Sequence, residues 1–178
     1  NLNIHKVDKT FDTGEFVFKI KNKKNFKNPR PIDIYKYLIK LESHFLVNFL
    51  KKLKNKRNIF KIEKQNSNNS YYWPKLNSDV DGKINWNWDA RDIASFIRAF
   101  SHPFNGAFSY IKKYKVKIFN ASFHRSKTRF HPFQNGLIFR MDKKSIYVAA
   151  TRYFIKIPIN EIISDINKKD FLIGKRFK

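Results

Sequence analysis

The stretch Asp92-Ile93-Ala94-Ser95-Phe96-Ile97-Arg98-Ala99-Phe100-Ser101-His102-Pro103-Phe104-Asn105-Gly106-Ala107-Phe108 changes its periodicity halfway along. Ile93, Phe96, Ile97 and Phe100 recur at steps of three and four, which places them on one face of a helix. Asp89 is suited to cap that helix, with Asp92 three residues on, because a side-chain oxygen there satisfies N–H groups of the first turn. Pro103 cannot continue it. The spacing predicts a helix from about Asp89 to Ser101. After the break, Ala107 to Ile111, Lys115 to Ala121, Gly136 to Met141, Ser145 to Ala150 and Arg152 to Ile157 read as short strands between turn residues. One helix leading five short strands predicts a small barrel or compact sheet. Asn160 to Ile166 reads as a short helix, and the tail is basic.

Upstream, Gln65 to Ser70 is low-complexity Asn and Ser, and Tyr71 to Trp88 is aromatic, polar and irregular. Residues 66–88 are therefore expected to link two units, 1–65 and 89–178. In the first unit, Leu2 to Val7 reads as a strand, and Thr13-Gly14 punctuates it. Glu15 to Asn22 sets Phe16, Phe18 and Ile20 against Glu15, Lys19 and Lys21, a half-buried strand with Val17 out of pattern. Lys21 to Arg30 reads as a solvated loop. Pro29 and Pro31 announce a helix, and Ile34, Leu38, Leu41, Phe45, Phe49 and Leu53 form its apolar stripe. The Leu38, Leu41, Phe45 and Phe49 face is expected to pack on the Glu15–Asn22 strand. The basic run Lys51 to Arg57 suits a helix C-terminus, where the dipole favours cations.

The 178 residues carry a formal charge of +24. That balance suits polyanions. Lysine far outnumbers arginine, though, and this composition also arises from an AT-rich genome without any polyanion site. No cysteine is present, which excludes disulfides and thiolate metal sites. There is no P-loop, dinucleotide glycine fingerprint, zinc spacing or nucleophile elbow, so no metal is expected. Ile32 to Leu53 is broken by Lys36, Lys40 and Glu42 and does not read as a membrane span. The chain starts at Asn1 with Met141 as its only methionine and shows no signal peptide. A processed or partial chain in a reducing, cytoplasmic setting is the expectation. The histidines His5, His44, His102, His124 and His131 show no helical metal pair, and none is expected to catalyse.

Three segments in order resemble one family. They are Val7-Asp8-Lys9-Thr10-Phe11-Asp12-Thr13-Gly14-Glu15, then Gly82-Lys83-Ile84-Asn85-Trp86 leading to Ile97-Arg98-Ala99 and Gly106-Ala107-Phe108, then Lys115-Val116-Lys117-Ile118-Phe119-Asn120-Ala121. This order resembles the 10-formyltetrahydrofolate-dependent formyltransferases, which include methionyl-tRNA formyltransferase and sugar N-formyltransferases. The family pattern has Asp-Thr-Gly after a strand, an Ile-Asp-Trp segment, Ile-Arg-Ala on a helix, and Gly-Ala-Phe before a strand. Departures are Ile84-Asn85-Trp86 for Ile-Asp-Trp, Asn105-Gly106 for Pro-Gly, and no glycine in Asp8 to Phe11. The family's Asn-x-His pair and its loop "S-x-L-P-x-x-R-G" lie upstream of the matched aspartate.

The resemblance implies an α+β fold: the remnant of an α/β, Rossmann-like formyltransferase domain followed by a small OB-like β domain. It implies a formyl donor, 10-formyltetrahydrofolate, and attack by an acceptor amine on the formyl carbon. Asp12 matches the catalytic aspartate that orients the upstream histidine and helps proton transfer. Asp8, Lys9, Thr10, Phe11 and Asp12 match the loop lying against the folate. Without the upstream pair, this portion is expected to be inactive alone, and the missing N-terminal half of the domain is its expected partner. Tyr72-Trp73-Pro74-Lys75-Leu76-Asn77-Ser78-Asp79-Val80-Asp81-Gly82 and Gly106 to Tyr110 resemble the sugar branch. They favour a nucleotide-linked amino sugar over initiator methionyl-tRNA as acceptor and leave a homodimer open. Arg98, Trp73 and Lys75 are the expected substrate contacts, with a salt bridge from Arg98 to Asp79 or Asp81 as the alternative for that residue. At least two of Trp73, Trp86 and Trp88 are expected to pack between the units. A competing class is a basic, OB-like RNA-binding module without catalysis.

Overall fold

A computed structural model describes residues 2–21, 24–55, 62–66, 68, 70–127, 129–166 and 171–178. The expected ends of the second strand at Asn22 and of the basic helix terminus at Lys56 and Arg57 lie outside the described residues, as do Ser67 and Asn69 of the linker. The chain divides into two compact units, residues 1–27 with 35–75 and residues 28–34 with 76–178.

In the first unit, β1 (Leu2–His5) pairs antiparallel with β2 (Phe16–Ile20), Leu2 opposite Ile20 and Ile4 opposite Phe18. Helix α1 (Pro31–Lys54) begins at Pro31. A proline suits the first helical position, because its missing N–H would have no partner there. Lys51, Lys52 and Lys54 fall in the last turn, as the dipole favours. The expected packing of α1 on β2 is present: Phe18 stacks on Phe45 at 5.0 Å between ring centroids and lies 6.0 Å from Phe49. Phe45 is the buried residue of this helix.

The second unit holds the larger core. A short helix α2 (Ser78–Asp81) precedes α3 (Ala90–Ala99). The Asp89 side chain accepts from the Arg91 N–H at 2.9 Å and caps α3. Strands β3 (Ala107–Ile111) and β4 (Tyr114–Ile118) form a hairpin, extended by β9 (Ile162–Ser164). A second antiparallel sheet runs β5–β8–β7–β6, from β5 (Ser122–His124), β8 (Phe154–Pro158), β7 (Ser145–Ala149) and β6 (Ile138–Met141). Ile93 and Ile97 of α3 are fully buried together with Ile118, Ile146 and Ile155 from the two sheets.

Three expectations are corrected. Residues 160–166 do not form a helix: a 3-10 turn at Ile159–Glu161 runs into β9, where Ile162 pairs with Ile118. Two adjacent β-branched residues beside an open strand edge favour pairing over helix. Strand β5 has no counterpart in the sequence reading. Its single apolar residue, Phe123, lies between Ser122 and His124, so only pairing with β8 defines it. Trp86 and Trp88 pack inside the second unit. Trp86 stacks on Phe177 at 5.1 Å and Trp88 meets Phe96 edge-on at 5.2 Å, while Trp73 is 83% exposed.

Candidate functional site

The turn from Lys6 to Glu15 joins β1 to β2 and contains the aspartates singled out above. Its base is closed by the Lys6 N–H donating to the Glu15 carbonyl at 2.9 Å and by a Lys6–Glu15 ion pair at 3.0 Å. Gly14 is required there, since a Cβ would lie 1.7 Å from the Lys6 carbonyl oxygen. Inside the loop, Asp8 Oδ1 accepts from the Thr10 N–H at 3.0 Å and from the Thr13 hydroxyl at 2.7 Å. The Thr10 and Thr13 hydroxyls are also bonded to one another. This is an Asx-type turn in which side-chain acceptors replace backbone partners.

The Thr13 hydroxyl, followed by the Thr10 N–H, holds the Asp8 carboxyl below its ordinary pKa. A depressed carboxylate pKa contributes stability that is full above the unfolded value, about 3.9, and is lost as pH falls through the lower folded value. The turn therefore keeps its support at neutral pH and loosens only in acid below that range. Thr13→Val is expected to raise the Asp8 pKa toward the ordinary value in a carboxyl NMR titration. An unchanged Asp8 titration would contradict the assignment of Thr13 as its main partner.

Asp12 sits with φ of 56°, a left-handed conformation that Asp and Asn tolerate better than most residues. The Gln65 side-chain amide fixes the backbone here by donating to the Asp12 carbonyl at 2.6 Å and the Gly14 carbonyl at 2.8 Å. The Asp12 carboxylate is turned outward, 88% exposed, with His5 Nε2 3.6 Å from its Oδ1. His5 Nδ1 lies 3.2 Å from the Lys6 carbonyl. With Nδ1 donating to that carbonyl, Nε2 presents a proton to Asp12 only in the imidazolium form.

Phe11 is 99% exposed and Lys9 is exposed, whereas the Asp8 carboxylate is engaged within the turn. The outward groups of the loop are thus an aromatic ring, an ammonium and the Asp12 carboxylate. Trp73 and Lys75 belong to the first unit and are exposed. Arg98 belongs to the second unit. Its Nη1 donates to the Ala121 carbonyl at 3.2 Å and its Nη2 to the Ser95 hydroxyl at 3.1 Å. Partial burial lowers its pKa. The expected bridge to Asp79 or Asp81 is not formed. Asp79 faces Lys117 at 3.6 Å and Lys115 at 3.7 Å, and Asp81 accepts from the Asn77 N–H at 2.7 Å. Among the described residues, no three His, Cys, Asp or Glu side chains gather to hold a metal, and no helix is long and apolar enough to cross a membrane.

The motifs of the second unit touch one another. Phe108 N–H donates to the Gly82 carbonyl at 2.7 Å, and Ile84 N–H donates to the Phe108 carbonyl at 2.8 Å. The Gly82–Trp86 and Gly106–Phe108 segments are thereby zipped together. Gly106, with φ of 84°, presses its backbone against the Phe119 ring, 3.0 Å from where a Cβ would lie. Arg98 ties Ile97-Arg98-Ala99 to the end of the Lys115–Ala121 segment. These motifs are linked through packing and backbone pairing. The outward acidic and basic side chains of the Lys6–Glu15 turn are candidates for chemistry.

The sequence reading gave His5 no role, read Thr13 only as turn punctuation, and overlooked Gln65. Thr13 is legible in retrospect from its place in an Asp-rich turn. Gln65 is not, because it reaches the turn from 51 residues along the chain.

A sequence model of the family described as "Formyl transferase, C-terminal domain" matches residues 77–174. The chain is 32% identical over 168 residues to the bifunctional polymyxin resistance protein ArnA of Wigglesworthia glossinidia brevipalpis, covering 85% of this chain and 23% of that protein. Among solved structures it is similar in fold to HypX from Aquifex aeolicus, at 16% identity and a TM-score of 0.57, covering 87% of this chain and 26% of that one. It is also similar to WlaRD, a sugar 3N-formyl transferase solved in the presence of dTDP and 5-N-formyl-THF. That match has 20% identity and a TM-score of 0.54, covering 89% of this chain and 54% of that one. The chain thus spans about a quarter of the length of ArnA and HypX and about half that of WlaRD.

Proposed function

The chain belongs to the formyl transferases through its C-terminal domain, and from that premise we propose that it is part of an enzyme moving a formyl group from 10-formyltetrahydrofolate to the amine of a nucleotide-linked amino sugar. The observation that carries this reading is the family match over residues 77–174, joined to an exposed carboxylate at Asp12 in a turn built to present it. Residues 1–65 are the C-terminal part of a Rossmann-like catalytic domain, and 66–88 connect it to an OB-like domain at 89–178, with Gly82 to Trp86 packed onto that domain's β3 and core. Exposed apolar residues of α1 support the first assignment. Tyr35, Ile39, Leu46 and Leu50 form a second stripe, exposed to between 44% and 57%. A helix apolar on two sides is suited to lie between layers, and a contiguous exposed stripe favours a covering partner. The rest of the catalytic domain is that partner.

The folate supplies an activated formyl group on nitrogen. The outward set of the turn fits it: the Phe11 ring offers a face to a flat heterocycle, and the Lys9 ammonium suits the carboxylates of a folate tail. Asp12 orients a histidine base and stabilises its protonated form, which lets the attacking amine lose its proton. Asp8 and Thr10 act behind them by fixing the loop. On the acceptor side, Trp73 and Lys75 are free of the packed core and suit a base and a diphosphate. The bonds of Arg98 to Ala121 and Ser95 favour a positioning role for it. A cytoplasmic setting fits a folate-dependent reaction on a nucleotide sugar.

The sugar-branch words around Trp73 and Gly106 favour the sugar acceptor, as does the likeness to WlaRD, a sugar 3N-formyl transferase. The test is a comparison of acceptors with the complete protein and 10-formyltetrahydrofolate. A nucleotide-linked 4-amino or 3-amino sugar is expected to show a kcat/KM well above that of methionyl-tRNA. The reverse order would overturn the acceptor assignment.

A further inference from the structure

We infer that Gln65 is a positioning residue for formyl transfer: its side-chain amide sets the direction in which the Asp12 carboxylate leaves the turn. The inference rests on the reading of Asp12 as the support of the base.

Asp12 is held in a conformation that aspartate does not favour by itself. Its φ of 56° lies in the left-handed region, where Cβ crowds the following carbonyl oxygen. Such a residue persists when its surroundings over-determine it. The bonds inside the loop engage its neighbours instead. Asp8 collects the Thr10 N–H and the Thr10 and Thr13 hydroxyls, and Lys6 closes the base on Glu15. Among the described residues, Gln65 alone bonds the Asp12 backbone.

A carboxamide nitrogen carries two hydrogens. Gln65 Nε2 reaches the Asp12 carbonyl at 2.6 Å and the Gly14 carbonyl at 2.8 Å, on either side of Thr13. Fixing the Asp12 carbonyl fixes its ψ, and with it the direction of the Cα–Cβ bond. The amide is itself delivered from an anchored backbone. Two residues upstream, Glu63 exchanges both backbone bonds with Phe16, at 2.9 and 3.0 Å, an antiparallel bridge onto the first residue of β2. Lys19 of β2 adds an ion pair to the Glu63 carboxylate at 2.8 Å. The strand that leaves the turn thus also holds the segment that clamps the turn.

The clamp acts on direction more than on stability. Gln65 is exposed, so water can replace its N–H groups at the two carbonyls. Removing the amide leaves the fold and frees Asp12 to reorient. In a reacting constellation, a displacement of about 1 Å can cost on the order of a hundredfold in rate.

The test uses the complete protein with 10-formyltetrahydrofolate and a nucleotide-linked amino sugar, with rates normalised to folded protein by circular dichroism. Gln65→Met keeps the length of the side chain and removes its donors. Its kcat is expected to fall about tenfold, which corresponds to ~1.4 kcal/mol, the net contribution of one or two ordinary hydrogen bonds. Both KM values are expected to stay within about twofold, because reacting geometry and not ground-state binding is lost. Gln65→Glu keeps the shape but sets an acceptor against two carbonyls, and is expected to lose at least as much. Lys64→Met, an exposed neighbour, is expected to stay within about twofold. In an Asp12→Asn background, Gln65→Met is expected to cost no more than about twofold further, since groups that act as a unit fail together. The carbonyl carbon-13 shifts of Asp12 and Gly14 are expected to move in Gln65→Met, with those of Ile97 unchanged. Full activity of Gln65→Met or Gln65→Glu, a rise in KM alone, equal losses in both backgrounds, or unmoved Asp12 and Gly14 shifts would each overturn the inference. A large Asp12→Asn loss beside an unimpaired Gln65→Met would overturn the inference and leave the reading of Asp12 standing. A fully active Asp12→Asn enzyme would overturn both.

Discussion

Replacing Asp12 by asparagine in the complete protein is expected to lower kcat for formyl transfer on the order of a hundredfold or more, with the fold intact. The backbone argument makes the substitution clean. Asp12 adopts φ of 56°, and asparagine tolerates that conformation as well as aspartate does. The carbonyl that holds the Gln65 amide is unchanged. On the proposed reading, what disappears is the negative charge that would fix the tautomer of a histidine base and stabilise its cation, and general acid–base help is worth about 10²–10⁴ in rate. His5 supplies the control. It is the histidine 3.6 Å from Asp12, yet the family pattern places the base upstream. His5→Ala is therefore expected to stay within about fivefold of the parent, since an exposed pair contributes at most ~1 kcal/mol. An Asp12→Asn enzyme that melts normally and keeps most of its activity would end the catalytic assignment. A His5→Ala loss as large as that of Asp12→Asn would move the base to His5.

The second large effect is on stability. Trp86→Ala is expected to destabilise the second unit by about 3–5 kcal/mol, as large aromatic truncations in cores do. Trp86 is 5% exposed and stacks on Phe177 at 5.1 Å. Its indole N–H donates to the Ser109 hydroxyl at 2.9 Å, which in turn donates to the Lys178 carbonyl at 2.8 Å. The alanine variant loses the ring and leaves Ser109 short of a donor. Trp86→Phe keeps a ring against Phe177 and is expected to lose less, about 1 kcal/mol for the missing hydrogen bond plus a smaller packing deficit. Calorimetry should show the alanine variant melting far below the phenylalanine variant. Equal melting temperatures would mean that the tryptophan of Ile84-Asn85-Trp86 is not a packing residue.

The second unit was legible because its signals are local. Four apolar residues at helical spacing, an aspartate cap and a proline stop define α3, alternating β-branched residues define β7 and β8, and the alternating aromatics Phe108 and Tyr110 mark β3. Strand β5 and the β9 edge were not legible, because their residues become strands only by pairing with β8 and β4. The site was half legible. Asp8 and Asp12 stand out in sequence, and Thr13-Gly14 marks the tight turn. Of the partners that shape it, His5 directly precedes the turn but carries no signal of its pairing, and Gln65 comes from beyond α1. Arg98 shows the opposite failure. A charged residue next to an apolar stripe suggested, as one alternative, an acidic partner, whereas the guanidinium is held by a backbone carbonyl and a serine. Spacing identifies which face a side chain leaves from, and only the fold decides what it meets.

The central claim is formyl transfer to an amine. The direct measurement is incubation of the complete protein with 10-formyltetrahydrofolate labelled with carbon-13 in the formyl group, together with a nucleotide-linked amino sugar. The product is then read by NMR and mass spectrometry. The account predicts a labelled formamide on the sugar nitrogen and an equal amount of tetrahydrofolate, both greatly reduced by Asp12→Asn. A folded protein that leaves the label on the folate with every amine acceptor offered, amino sugars and methionyl-tRNA alike, would contradict it.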